Sequence, residues 1–98
     1  MNVPQGRLLK LRHDHHELGF LAARICAELG ASWTLRVESP QDVEEYLDHL
    51  HRGASMSLSI VTRDGACYQG EACVSNVSID GDYATLVVLA GVGPLHND

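Results

Sequence analysis

The chain reads as a single α+β domain in the order αβαβββ, with two amphipathic helices on one face of a sheet that ends in an antiparallel meander. Three observations predict this. Two Asp-Gly pairs, Asp64-Gly65 and Asp80-Gly81, separate three strand-like runs in residues 55–92, and Asp-Gly between alternating apolar residues is a strong hairpin signal. Residues 15–29 carry an apolar stripe of helical period. Ser39-Pro40 opens a second segment of helical period, which Gly53 closes. The alternative reading is a small bent β-barrel with the helices at its ends.

Taken in order, residues 1–6 form a loose end, with Pro4 and Gly6 as breakers. Residues 7–12 fit a short strand or a helical lead-in, since Leu9 and Leu11 alternate with Lys10 and Arg12. A first helix is expected over 15–29. Leu18, Leu21, Ala22, Ile25, Cys26 and Leu29 share one stripe, Asp14 and Glu17 form an N-terminal capping pair, and Gly30 supplies the left-handed stop.

Residues 32–38 alternate Trp33, Leu35 and Val37 with Thr34, Arg36 and Glu38, a strand with one wet face. In the second helix Ser39 is the expected N-cap, and Val43, Tyr46, Leu47 and Leu50 form the buried stripe. Asp48 and Arg52 can pair at i,i+4. Short connections around this helix allow a right-handed parallel crossover and hence a mixed sheet.

In the meander, Met56, Leu58 and Ile60 alternate with serines, and the alternation slips near Asn76 as a β-bulge would make it do. Residues 83–90 are apolar on both faces, and Gly91-Val92-Gly93-Pro94 is the expected end of the last strand. Residues 94–98 are expected to be flexible, like 1–6.

The 98 residues, 45% hydrophobic and 20% charged, suit one modest core and argue against a second domain or disorder. The net charge of −6 is uneven. Residues 1–36 hold five basic and three acidic groups, and residues 37–98 hold two and ten. That balance disfavours nucleic acid and anionic membranes as partners of the C-terminal part, because phosphate binding needs clustered Lys and Arg. Arg7, Lys10 and Arg12 form the only basic run, more consistent with solvation of one face than with nucleic-acid binding.

Three cysteines in no disulfide spacing, without a secretory segment or an apolar run of membrane length, point to a cytoplasmic protein. Cys26 is expected in the core. Cys67, after a hairpin, is the one thiol expected to be accessible, and Cys67 and Cys73 on one extended strand stand roughly 20 Å apart, too far to cooperate.

The sharpest chemical candidate is His13-Asp14-His15-His16-Glu17. On a helix, His13, His16 and Glu17 lie three and four apart and could converge on zinc, iron or nickel. Against this, His13 precedes the N-cap, Asp14 and Glu17 already have capping roles, and no HExxH or CxxC half-site accompanies them. His49 and His51, two apart on a helix, point to different sides and read as an exposed polar face, and His96 lies in the tail. Neither a nucleophile elbow, a phosphate-cradling glycine loop nor a calcium loop is present.

The sequence therefore favours a small, acidic, non-enzymatic interaction or regulatory module with no catalytic residues and no cofactor. It would act through a protein partner and as a homodimer, the dimer being suggested by Phe20, Ala23 and Ala27, which widen the apolar face of the first helix. The alternative is a metal-binding protein or metal-dependent enzyme using His13, His16 and Glu17.

Overall fold

The computed structural model describes residues 5–27 and 33–97. Seven strands and one helix follow one another: β1 (Gln5–His13), β2 (His16–Glu17), β3 (Ala22–Ala27), β4 (Trp33–Glu38), α1 (Val43–Arg52), β5 (Ser55–Thr62), β6 (Cys67–Asp80) and β7 (Tyr83–Asn97). The strands hydrogen-bond in the order β2-β1-β3-β4-β7-β6-β5, and β1 also pairs with β5. Six strands thus close into a barrel, with the two-residue β2 as a flap on β1.

This architecture corrects the α+β expectation and fits the alternative barrel reading. Residues 15–29 do not form the first helix: the described part turns through a hairpin into β2, crosses residues 18–21 and enters β3. Leu29 and Gly30 lie outside the described residues. Every strand pairing is antiparallel, so the parallel crossover and the mixed sheet are absent among the described strands.

The physical reason lies in a second periodicity carried by the same residues. Ala23, Ile25 and Ala27 are buried while Arg24 and Cys26 are exposed, a strict alternation of period two. A helix there would leave facing edges of β1 and β4 unpaired. As a strand, β3 satisfies both, pairing with β1 through Gln5–Arg7 and with β4 over its whole length.

The barrel is filled by Leu8, Leu11, Ile25, Leu35, Val37, Met56, Leu58, Ile60, Val87 and Leu89, each nearly or fully buried. Tyr46 of α1 reaches the same core, and the helix packs against β6, so one helix closes one end of the barrel. It begins at Val43, later than Ser39-Pro40 suggested, and Gly53 ends it in the left-handed conformation, φ 64°. Asp48 and Arg52 pair as expected.

Both Asp-Gly hairpins form, and the register of β6 slips between Val74 and Asn76. β7 does not stop at Gly91 but runs to Asn97, with His96 opposite Gln69. Gly91 is there for contact and not as a breaker. A Cβ at this position would overlap the indole of Trp33, whose Nε1–H donates to the Gly93 carbonyl at 3.0 Å. No described helix is long and apolar enough to cross a membrane.

Candidate functional site

The end of the barrel closed by α1 gathers most of the chemistry-bearing side chains. The row Ala22, Glu38, Leu86 and Ser78 crosses β3, β4, β7 and β6 near this end. Beyond that row lie residues 18–21, the connection into α1 and the tip of the β6–β7 hairpin. The β1–β2 hairpin joins them, because β1 runs antiparallel to β3 and finishes past the start of β3. Asp14 takes φ 57° in that hairpin, a conformation Asp tolerates better than most residues.

The hairpin redistributes the predicted metal candidates. His13 and His16 become cross-strand partners, and Glu17 faces Arg12 instead. Since neighbours on a strand point to opposite faces, Glu17 leaves the side that His16 occupies. His13, with only 12% of its side chain exposed, sits between two carboxylates, Nδ1 3.5 Å from Glu45 Oε1 and Nε2 3.6 Å from Asp14 Oδ2. His16 Nε2 lies 3.2 Å from Asp42 Oδ1. Each histidine therefore has its own acidic neighbours, and no three His, Cys, Asp or Glu side chains among the described residues are arranged to hold a metal ion.

Asp42 is the hinge of the site. It stands at the N-cap of α1 but makes no side-chain cap. Its carboxylate instead accepts the Gly19 N–H at 2.9 Å and meets His16, joining the residue 18–21 segment to the helix. The Gly19 bond chiefly, with the His16 contact, holds the Asp42 carboxyl below its ordinary range against partial burial. The Gln41 N–H donates to the Gly19 carbonyl at 2.9 Å, completing the clasp.

His49 is half-buried, not fully exposed as a polar-face reading implied. Its Nδ1–H donates to the Glu45 carbonyl at 2.9 Å, and its ring meets His13 edge to face with centroids 4.9 Å apart. On the same helix, the Tyr46 hydroxyl and Glu45 Oε2 are buried without a hydrogen-bond partner among the described residues. Burial, and then the nearby Asp42 and Glu45 carboxylates, push the Tyr46 phenol well above its ordinary range.

Cys26 and Cys67 are both exposed and lie on β3 and β6, which corrects the core placement of Cys26.

Two features of this end escaped the sequence reading. Leu21, placed by helical periodicity on a buried stripe, is 79% exposed, and Tyr83 at the hairpin tip is also 79% exposed. Ile79, on the facing strand of the tip, is 56% exposed. The Leu21 N–H donates to the Glu38 carbonyl and the Ser39 N–H to the Thr85 carbonyl, so one corner of β4 anchors the backbone beside both Leu21 and Tyr83. Glu38, Glu44, Asp80 and Asp82, all exposed, belong to the same end.

Compared with models of known protein families, with curated proteins and with solved structures, the chain matches none.

Proposed function

We propose that the chain is a small non-enzymatic interaction module that docks a protein partner on the α1 end of its barrel. The observation that carries this reading is the exposure of Leu21, Ile79 and Tyr83 at an end that also bears Glu38, Glu44, Asp80 and Asp82. Large apolar side chains exposed together within a polar surround are the usual make-up of a contact patch, and an aromatic is a favoured anchor. The acidic surround fits a partner with an apolar centre and basic flanks. It disfavours a second copy of the same end, because the carboxylates would face one another. The earlier support for a homodimer is also gone, since Ala23 and Ala27 point into the barrel from β3.

A synthetic amphipathic peptide of leucine and lysine, with an all-lysine peptide as control, probes this surface. The leucine-containing peptide is expected to bind the intact chain more tightly than the control, and the double change Leu21→Ser/Tyr83→Ser to weaken it at least tenfold with the fold retained. Equal binding by the double variant contradicts the proposal. So does light scattering that gives twice the 10.7 kDa chain mass in the wild type and the single mass in the variant, which would put a second copy on this surface.

A further inference from the structure

Outside the α1 end, three arginines stand in one line across the barrel wall. Arg7 of β1 is the register partner of Arg24 of β3, and Arg24 is the register partner of Arg36 of β4. All three are exposed and line a shallow groove of about 490 Å³ with Ala22, Ala23 and Glu38. Strands lie about 4.8 Å apart, so the row spans roughly 10 Å.

Like charges directly opposite one another on neighbouring strands destabilise a sheet, and here two such contacts are placed in succession. No described carboxylate lies within ion-pair distance of the three. Glu38, the acidic residue in the groove, pairs in register with Ala22 and forms no ion pair with them. Along the sequence, Arg7, Lys10 and Arg12 form one basic run. The fold divides that run, since Lys10 and Arg12 pair with β5 whereas Arg7 pairs with β3 and joins Arg24 and Arg36. Half of the six arginines of an acidic chain are thus collected on one line of one face.

From this placement we infer that the groove over Arg7, Arg24 and Arg36 is a binding site for a short oligophosphate, either an inorganic chain or the phosphate tail of a nucleotide. Guanidinium is the group suited to phosphate, offering two parallel N–H donors in a fixed fork. A linear row of three matches a linear anion carrying two or three phosphates better than a single tetrahedral one. A long nucleic acid fits less well. Among the described residues, the groove lining includes no aromatic side chain on which a base could stack, and the net charge of −6 repels a polyanion that runs beyond the row.

Calorimetry on the intact chain at low salt tests the site with inorganic triphosphate, a nucleoside triphosphate, orthophosphate and a single-stranded oligonucleotide. Triphosphate is expected to bind one to one, at least tenfold more tightly than orthophosphate. Arg24→Gln should weaken it at least tenfold, Arg24→Lys should weaken it less, and Glu38→Gln should strengthen it. A nucleoside triphosphate that binds as inorganic triphosphate does marks the phosphates as the whole determinant, and one that binds more tightly adds a contact for the base; either outcome supports the site. Because Arg24 is exposed, its variants should melt at or above the wild-type temperature, and Arg36→Gln gives an independent second loss. Absence of triphosphate binding, affinity equal to that for orthophosphate, indifference to Arg24→Gln and Arg36→Gln, or tighter binding of the oligonucleotide each overturns the inference.

Discussion

The α1 end and the arginine wall are built from the same closed sheet, yet they solve the problem of charge in opposite ways. At the helix N-terminus of the α1 end, charged groups are woven together, since Asp42 holds the Gly19 N–H and His16, and His13 lies between Asp14 and Glu45, while the carboxylates of Glu38, Glu44, Asp80 and Asp82 stand exposed around them. On the wall, Arg7, Arg24 and Arg36 face one another without a described counter-ion. Interactions that are satisfied internally stabilise a fold, whereas charges left in register without partners lower its stability. The difference separates a region whose buried and half-buried polar groups serve the structure from one whose charges stand in register without a described partner.

The largest effect should come from the wall common to both regions. Gly91→Val would drive a side chain into the Trp33 indole, and overpacking of this kind costs about 3 kcal/mol. Thermal unfolding should then fall by more than about 10 °C for a domain of this size, taking both surfaces with it. A variant that melts like the wild type would mean that Trp33 does not lie over Gly91.

The Asp42 clasp should come next. Replacing Asp42 by Ala removes a charge-assisted bond to the Gly19 N–H and should cost about 1.5 kcal/mol at neutral pH, measured by urea unfolding. The Asp42 carboxyl is held below its ordinary value of 3.8, so its stabilisation is complete above that value and disappears as pH falls through the lower folded value. The gap between wild type and variant should therefore close in acid. A gap that stays constant with pH would deny the carboxylate its role and blur the contrast with the arginine wall.

The smallest effect belongs to Tyr46→Phe. Its hydroxyl is buried without a partner among the described residues, so its removal should leave stability unchanged or raise it by up to about 1 kcal/mol. A loss above that size in urea unfolding would show that the hydroxyl has a partner, and that the α1 end is satisfied down to its core.

The meander was legible in the sequence because its signals are local. Asp64-Gly65 and Asp80-Gly81 name their own turns, and the slipped alternation near Asn76 is the bulge itself. The helix stop at Gly53 and the Asp48–Arg52 pair are local in the same way. Residues 15–27 were not legible, since Leu18, Leu21, Ala22 and Ile25 satisfy a helical period while Ala23, Ile25 and Ala27 satisfy a strand period. Only the long-range demand of β1 and β4 for a shared neighbour decides between them.

The candidate site depended on that decision. His13, His16 and Glu17 converge on a helix but divide on a hairpin, and the arginine row exists only once β3 lies between β1 and β4. The contribution of Asp42 was hidden for a related reason, since its partner Gly19 is 23 residues away in the chain.

The most direct test of two working surfaces that meet at Glu38 is an NMR titration of one nitrogen-labelled sample, first with inorganic triphosphate and then with the leucine-lysine peptide. Triphosphate is expected to shift the amides around Arg7, Arg24 and Arg36, and the peptide those around Leu21, Ile79 and Tyr83, with each ligand still bound in the presence of the other. A single shared set of shifted amides, or displacement of one ligand by the other, would contradict the account.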